Sequence, residues 1–259
     1  MTRISRGKTL CSGGAIRLVL FDIDGTLLFT GGAGKRALNR AFEELFGTRD
    51  AFTGISVAGR TDALIVDEAL SRSDVIADKI SRELFFVRYF DFLKEEIVQP
   101  GPKKGLMPGV RKLLEKLVPS PGLVSALLTG NFARAAKIKL EYFGIWNYFA
   151  CGAYGDDAPS RNDLVPIAVD RARNSGISIA SPRDAIVVGD TPFDVQCATA
   201  VHARSIAVAT GPFSESVLRD AGADEVLPDL SDTKRFLAAL DDSAMKEQGT
   251  TFLHRQTIV

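Results

Sequence analysis

The feature that most constrains this chain is a short apolar run that ends in two carboxylates. Residues 18–21 (Leu-Val-Leu-Phe) are too few for a helix and lead to a breaker at Gly25, so they predict a buried strand. Asp22 and Asp24 follow one residue apart, and alternation along an extended chain sends both side chains to one side, with Ile23 opposite. Two carboxylates there repel each other and lose hydration. The pair indicates a cation between them or a proton on one of them; otherwise it is a polar strand end that caps a turn.

Composition narrows the class of protein further. The 259 residues are 46% hydrophobic and 25% charged with a formal net charge of zero, which is typical of a soluble globular protein. Nothing indicates a nucleic-acid or membrane surface, a spanning segment or a signal peptide. The cysteines Cys11, Cys151 and Cys197 form no metal motif and no disulfide framework. We expect a cytoplasmic monomer or homodimer with no nucleic-acid or membrane partner.

The first part of the chain after the Asp pair is helical. Residues 30–34 (Thr-Gly-Gly-Ala-Gly) form one flexible break, and the Pro/Gly-rich residues 100–105 form a second. Between them the periodicity predicts three helices, over 35–46, 62–71 and 81–98, and no convincing strand. We therefore expect a separate helical cap at residues 33–104, inserted into a core made of 15–32 and 105–241. Residues 1–14 and 243–259 are expected to be loose termini.

Beyond Gly105, strands and helices alternate. The predicted strands of this core are 16–21, 124–128, 148–152, 185–189, 205–209 and 225–227. The predicted helices are 108–117, 133–143, 164–174, 193–200, 215–221 and a last one that ends at Leu240 and is capped by Ser231 or Asp232. Strands separated by helices of this length predict right-handed βαβ units, and so an α/β fold with a parallel sheet.

Polar residues stand at the ends of three of these strands. They are Asp22 with Asp24, Thr129-Gly130-Asn131, and Gly189-Asp190. Open parallel sheets bind their ligands at the carboxyl ends of the strands. The three ends therefore predict one site, with chemistry suited to a metal ion and a phosphate.

Taken in order, these segments resemble the motifs of the haloacid dehalogenase-like (HAD) phosphohydrolases over roughly residues 16–241. The Asp22-to-Thr26 stretch matches the nucleophile motif, Thr129 the second motif, and Gly189-Asp190 with Asp194 the fourth. The resemblance implies a Rossmann-like parallel sheet with a helical cap inserted after the first strand. Within the family the chain looks most like the branch of phosphoglycolate phosphatase and β-phosphoglucomutase.

The resemblance also implies roles for the acids. Asp22 would be the nucleophile that attacks phosphorus, and Asp24 the general acid and then base. Mg²⁺ would be held by Asp22, Asp190 and the main-chain carbonyl of Asp24. Asp194 could bind metal-bound water or pair with the cation of the third motif; the alternative is a solvated first-turn acid that complements the helix dipole.

The phosphate would be bound by Thr129 with the backbone N–H groups of Gly130, Asn131 and the helix start, although Thr129 could instead be a plain N-cap. The family's third motif usually has a Lys, and here Arg161 stands at the matching place. We assign Arg161 the catalytic and phosphate-binding role, with an exposed loop Arg as the alternative and Lys137 as the runner-up cation. Arg presents a planar fork where Lys presents a compact charge.

In the cap, residues 58–62 (Ala-Gly-Arg-Thr-Asp) resemble a substrate-facing loop. Arg60 could then meet a carboxylate or a second phosphate of the substrate. Thr61 or Asp62 could equally be the N-cap of the next helix. His202 and His254 show no ligand or triad spacing and are assigned no role.

The implied activity is Mg²⁺-dependent hydrolysis of a small phosphomonoester through an aspartyl-phosphate. A dehalogenase is disfavoured, because that branch lacks the second carboxylate, which is present here as Asp24. A phosphomutase would use the same nucleophile and pass the phosphoryl group to a sugar. A non-enzymatic phosphate-binding module would be expected to have lost Asp22, Asp24 or Asp190. The choice of ester is expected to rest on a few cap side chains.

Overall fold

The computed structural model describes residues 17–241 and is built around a parallel sheet. The strands in chain order are β1 (Arg17–Phe21), β2 (Leu28–Phe29), β3 (Gly105–Leu106), β4 (Leu123–Leu128), β5 (Gly152–Ala153), β6 (Ala185–Gly189), β7 (Arg204–Val208) and β8 (Glu225–Leu227). Six of them form one sheet in the order β5-β4-β1-β6-β7-β8, with every pair parallel. The predicted α/β class is confirmed.

Helices cover both faces of this sheet. The helices are α1 (Ala33–Phe46), α2 (Asp62–Arg72), α3 (Lys79–Glu96), α4 (Val110–Leu117), α5 (Ala133–Tyr142), α6 (Leu164–Asn174), α7 (Pro192–Ala200), α8 (Glu215–Asp220) and α9 (Thr233–Ala239). Along β1, Val19 and Phe21 pack on one face in a cluster with residues of α4, α5 and α9, whereas Leu18 and Leu20 pack on the other with residues of α6 and α7. Because side chains alternate along a strand, burial on both faces explains why β1 is apolar throughout.

Helices α1, α2 and α3, here called the helical unit, pack around a hydrophobic cluster that also includes Ala135 of α5. Its centre is aromatic: Phe42, Phe52 and Phe85 are fully buried and pack edge-on or stacked, with ring centroids 5.6–6.5 Å apart. Tyr89 and Leu93 extend this cluster along α3. The aromatic residues therefore stabilise the helical unit by packing on one another rather than on the sheet.

The chain enters and leaves this unit through two adjacent segments. β2 and β3 pair antiparallel, with Leu28 opposite Leu106 and Phe29 opposite Gly105. Just beyond them, a Cβ at Gly101 would collide with the backbone of Gly31, so the two crossings approach closely only because both positions are glycine. The predictions contained no strand here, because two-residue strands are too short to show a period.

Other differences are local. The strand predicted at 148–152 is a 3₁₀ turn at Trp146–Tyr148 followed by the short strand β5, because Trp146, Tyr148 and Phe149 pack against the core instead of joining the sheet. Helix α4 begins at Val110, since Gly109 has φ 82° and lies outside the helix. Asp232, not Ser231, caps α9 by accepting from the Arg235 N–H.

Several expectations fall outside residues 17–241: the loose termini 1–14 and 243–259, Cys11 and His254. Within the described residues, His202 lies in the turn after α7 with φ 56°. Over that same range no helix is both long and apolar enough to cross a lipid bilayer.

Candidate active site

The carboxyl ends of β4, β1 and β6, which are neighbours in the sheet, form the candidate site. Phe21 at the end of β1 is level with Leu127 on one side and Val188 on the other. The next residues of the three strands lead to Asp22, Thr129 and Asp190. The sheet register therefore brings together three residues that are far apart in the sequence.

Three carboxylates lie together at this edge. Oxygen atoms of Asp22, Asp190 and Asp194 are all within 4.8 Å of one another, and all three residues are buried. Burial raises the pKa of Asp22 to about 6; Arg161 opposes this shift, and the charges of Asp194 and Asp24 add to it. Burial, followed by the charges of Asp22 and Asp194, raises the pKa of Asp190 well above its ordinary value. This oxygen-rich, mutually repelling donor set fits a hard divalent cation such as Mg²⁺.

The Asp190 carboxylate packs closely against the backbone of two glycines. Thr26 Oγ1 donates a hydrogen bond of 2.8 Å to Asp190 Oδ1. A Cβ at Gly25 or at Gly211 would collide with the same carboxylate. Gly25 also has φ 89°, so the turn after the Asp pair requires glycine twice over, for its conformation and for its contact.

Arg161 is the cation of the acidic cluster. It lies in a 3₁₀ turn ahead of α6 and is 9% exposed, which excludes the exposed-loop alternative. Its Nη2 atom stands 3.0 Å from Asp22 Oδ1 and forms a second ion pair with Asp194 Oδ1. Burial works against the charged guanidinium, but Asp194 and Asp22 together raise the pKa of Arg161 above its ordinary value. One nitrogen therefore joins two carboxylates that would otherwise repel.

Asp194 pairs with the predicted cation and is buried, so it is not the solvated acid of the alternative, although it does lie in the first turn of α7. Its Oδ2 accepts hydrogen bonds from the Thr191 N–H (3.0 Å) and Thr191 Oγ1 (2.7 Å), which caps the start of α7. Its other oxygen pairs with Arg161. Asp194 thus anchors the helix start and also fixes the arginine.

Thr129 and the turn after it depart in part from the predicted phosphate cradle. Thr129 is fully buried, and its Oγ1 accepts from the Asn131 N–H (3.3 Å) and Asn131 Nδ2 (2.9 Å). The N–H groups of Phe132 and Ala133 donate to carboxylates from elsewhere in the fold, so they do not face a phosphate in this conformation. Among residues 17–241, the Gly130 N–H has no acceptor and remains for a ligand.

Asp24 is held by a residue that the sequence analysis missed. Asp24 Oδ2 accepts from Asn131 Nδ2 at 2.8 Å and from Lys139 Nζ at 2.6 Å. The runner-up cation Lys137 is half exposed and lies 3.8 Å from Glu141, away from the acids. Lys139 shares the buried face of α5 with Ala135, Ala136 and Leu140, and a lysine on an apolar helical face was the signal that could have identified it.

The loop at residues 58–62 touches the turn after Thr129, but Arg60 does not reach the acids. The Arg60 guanidinium pairs with Glu68 and donates to the carbonyls of Ser56 and Leu64, all within the helical unit. A role in substrate binding remains a prediction, and it requires this ion pair to open. Thr61 is the N-cap of α2, as its side chain accepts from the Leu64 N–H.

Asp62 makes a hydrogen-bonded contact between the helical unit and the turn after Thr129, beside the packing of Phe86 on Phe132. Its N–H donates to the Gly130 carbonyl at 2.8 Å, and its Oδ2 accepts from the Phe132 N–H at 3.0 Å. Burial raises the pKa of Asp62 to about 6, and the charge of Lys139 opposes that rise. The loop at residues 59–62 is therefore joined to the turn that follows Thr129.

A single nitrogen of Arg161 contacts both carboxylates, and this geometry predicts how the protein responds to substitution of Arg161. Because Nη2 makes both ion pairs, an ammonium can replace it, whereas a neutral side chain leaves two buried carboxylates without a cation. We expect Arg161→Lys to keep at least about a tenth of kcat/KM on a phosphomonoester and Arg161→Met to lose about 10²-fold or more. The control is Arg183→Met at an exposed position. Equal losses in the lysine and methionine variants would show that the planar guanidinium itself is required.

Three comparisons identify proteins similar to this chain. The model of the haloacid dehalogenase-like hydrolase family matches residues 19–208. A phosphoglycolate phosphatase from Chromobacterium violaceum is 27% identical over 217 residues, which cover 81% of this chain and 90% of that protein.

Solved structures agree with the fold. A predicted phosphoglycolate phosphatase from Haemophilus somnus has a TM-score of 0.65 at 19% identity and covers 87% of this chain and 100% of its own. A candidate β-phosphoglucomutase from Thermotoga maritima has a TM-score of 0.58 at 20% identity, with 86% and 99% covered. At these identities the likeness concerns the arrangement of strands and helices.

Proposed function

The chain belongs to the haloacid dehalogenase-like hydrolases, and we propose that it is a Mg²⁺-dependent phosphatase that hydrolyses a small phosphomonoester through an aspartyl-phosphate on Asp22. The observation that carries the proposal is the buried cluster of Asp22, Asp190 and Asp194 beside Arg161. Asp24 stands two residues after the nucleophile and supplies the second carboxyl that ester cleavage needs. The phosphoglycolate phosphatase relative supports a small phosphorylated acid as the substrate class.

In the first half-reaction, an Asp22 oxygen attacks phosphorus and the ester oxygen leaves with a proton from Asp24. Arg161 keeps the Asp22 carboxylate in place, and the Thr129 hydroxyl with the free Gly130 N–H binds phosphoryl oxygens. In the second half-reaction, Asp24 takes a proton from water, which attacks phosphorus and releases phosphate from Asp22. Asp22, Asp190, Asp194 and the Asp24 carbonyl would hold Mg²⁺, which neutralises charge on the phosphoryl oxygens.

We also propose that residues 33–104 act as a cap over a core of residues 15–32 and 105–241. The aromatic cluster of α1, α2 and α3 supports a separate unit. The paired segments β2 and β3 connect it to the sheet, so they are where it would rotate relative to the sheet. The contact of Asp62 with Gly130 and Phe132 would close the cap on the phosphate-binding turn. Closure would exclude bulk water from the aspartyl-phosphate. A cytoplasmic location and a monomeric or homodimeric state remain predictions.

The test is phosphate release from a panel of phosphomonoesters, including phosphoglycolate and p-nitrophenyl phosphate, with Mg²⁺ and with a chelator. We expect Mg²⁺-dependent turnover, fastest on a small phosphorylated acid. Product analysis with a sugar phosphate separates hydrolysis from transfer, and a transferred phosphoryl group would indicate a mutase. No turnover on any ester, together with no binding of Mg²⁺, would overturn the enzymatic proposal.

A further inference from the structure

A buried lysine outside the four motifs holds the Asp24 carboxylate. Lys139 is 5% exposed and projects from α5 to place Nζ 2.6 Å from Asp24 Oδ2. Asn131 Nδ2 donates to the same oxygen at 2.8 Å, and Lys139 donates in turn to Asn131 Oδ1. The three side chains form a closed triangle of hydrogen bonds in which each contacts the other two.

The triangle engages only one of the two carboxylate oxygens. Both donors act on Oδ2, and within residues 17–241 no donor is bonded to Asp24 Oδ1. The Asp24 side chain is 39% exposed, whereas that of Lys139 is 6% exposed. The carboxylate is thus anchored on its buried side and open on its other side.

We propose that Lys139 is a positioning residue: by holding Oδ2 it directs Oδ1 of Asp24 to the oxygen of the leaving group. The inference rests on the proposed function, in which Asp24 gives that oxygen its proton. Proton transfer requires the acid within hydrogen-bond reach of its target, so a carboxylate free to rotate would be less effective.

The cost of burying Lys139 argues against a merely structural role. An ammonium loses its hydration in the interior, and a well-packed apolar side chain is often as stabilising as a buried ion pair. The neighbours of Lys139 on the buried face of α5 are Ala135, Ala136 and Leu140, so an apolar residue would continue that face. The position instead holds a charge whose bonded partners are the proposed acid and Asn131.

The choice of leaving group makes the test specific. The leaving group of an alkyl phosphate is a strongly basic alkoxide that needs a proton from the acid, whereas that of p-nitrophenyl phosphate is a weakly basic phenolate that hardly needs one. We expect Lys139→Met to lower kcat/KM about 10- to 100-fold on an alkyl phosphate and less than about 3-fold on p-nitrophenyl phosphate. The matched control is Lys137→Met on the same helix, which removes an exposed lysine and should change neither value.

Two further variants test whether Lys139 acts through Asp24. In the Asp24→Asn background, Lys139→Met should cause no additional loss on the alkyl phosphate, because the group it positions no longer acts as an acid. Lys139→Arg keeps a cation and should restore part of the loss. If Lys139→Met fails to fold in a thermal melt, Lys139→Gln removes the charge while retaining a donor and is measured in its place.

The outcomes separate this inference from the function on which it rests. Equal losses on both esters, or losses that multiply with those of Asp24→Asn, would overturn the role of Lys139 while leaving the phosphatase intact. If the Asp22→Asn variant hydrolyses the esters at the wild-type rate, the proposed function is overturned, and this inference falls with it. A loss confined to the alkyl phosphate and absent from the double variant supports it.

Discussion

Replacement of Asp22 by Asn is expected to abolish phosphatase activity and at the same time to stabilise the metal-free protein. An amide cannot form the aspartyl-phosphate, so kcat should fall by about 10⁴-fold or more, the scale seen when a hydrolase loses its nucleophile. The side chain keeps its shape and its place between Arg161 and the strand end. Loss of activity without loss of the fold would therefore identify the nucleophile.

The gain in stability follows from the buried charge. In the unfolded chain an Asp carboxyl has its ordinary pKa of 3.8, and burial raises the pKa of Asp22 to about 6 in the folded protein. The folded state thus holds the proton more tightly, and its stability falls as pH rises from about 4 through 6 and stays low above that. An Asn side chain carries no buried charge. Above pH 6 the melting temperature of the variant should therefore exceed that of wild type by roughly 2–4 °C for each 1 kcal/mol of stability recovered.

The measurement is a thermal melt from pH 4 to 8 with a chelator present, paired with the activity assay in Mg²⁺. Asp170→Asn, which removes an exposed carboxylate on α6, is the control and should alter neither result. The gain of Asp22→Asn should be small at pH 4 and largest above pH 6. A variant that is less stable than wild type above pH 6 would mean that the ion pair with Arg161 outweighs the burial of Asp22.

Much of this site could be predicted because it depends on order along the chain. The apolar run before Asp22, the run before Thr129 and the run before Asp190 each predict a strand, and alternation with helices makes the strands parallel. Parallel strands place their carboxyl ends on one edge, so the convergence of the three residues follows without any knowledge of side-chain contacts.

The parts that were missed depend on contacts between distant segments. Lys139 meets Asp24 across 115 residues of sequence, and a lysine two positions from Lys137 cannot be distinguished from it by charge alone. The choice of Asp62 as the acceptor for the Phe132 N–H is set by how the helical unit lies on the core. Periodicity and motif spacing contain no information about that placement.

The metal itself provides the second large effect. We expect a chelator to abolish turnover and Mg²⁺ to restore it, and we expect Mg²⁺ to stabilise the fold because it neutralises Asp22, Asp190 and Asp194. At a free Mg²⁺ concentration of about 100 times Kd the gain is about 2.7 kcal/mol, or roughly 5–10 °C in Tm for a domain of this size. The shift in Tm should appear above pH 6 and fade toward pH 4, since protons compete for the carboxylates whose pKa values burial has raised.

Asp190→Asn tests the origin of that stabilisation. The variant removes one charge from the cluster but keeps an oxygen that can accept from Thr26 Oγ1, so the fold should persist and melt higher than wild type in a chelator. Mg²⁺ should then produce little or no shift in Tm, whereas Asp170→Asn should keep the full wild-type shift. If Asp190→Asn still gains the wild-type shift, the cation is held elsewhere. Because protein stability reports occupancy without turnover, this result would locate the metal even if the preferred phosphate ester lay outside the panel.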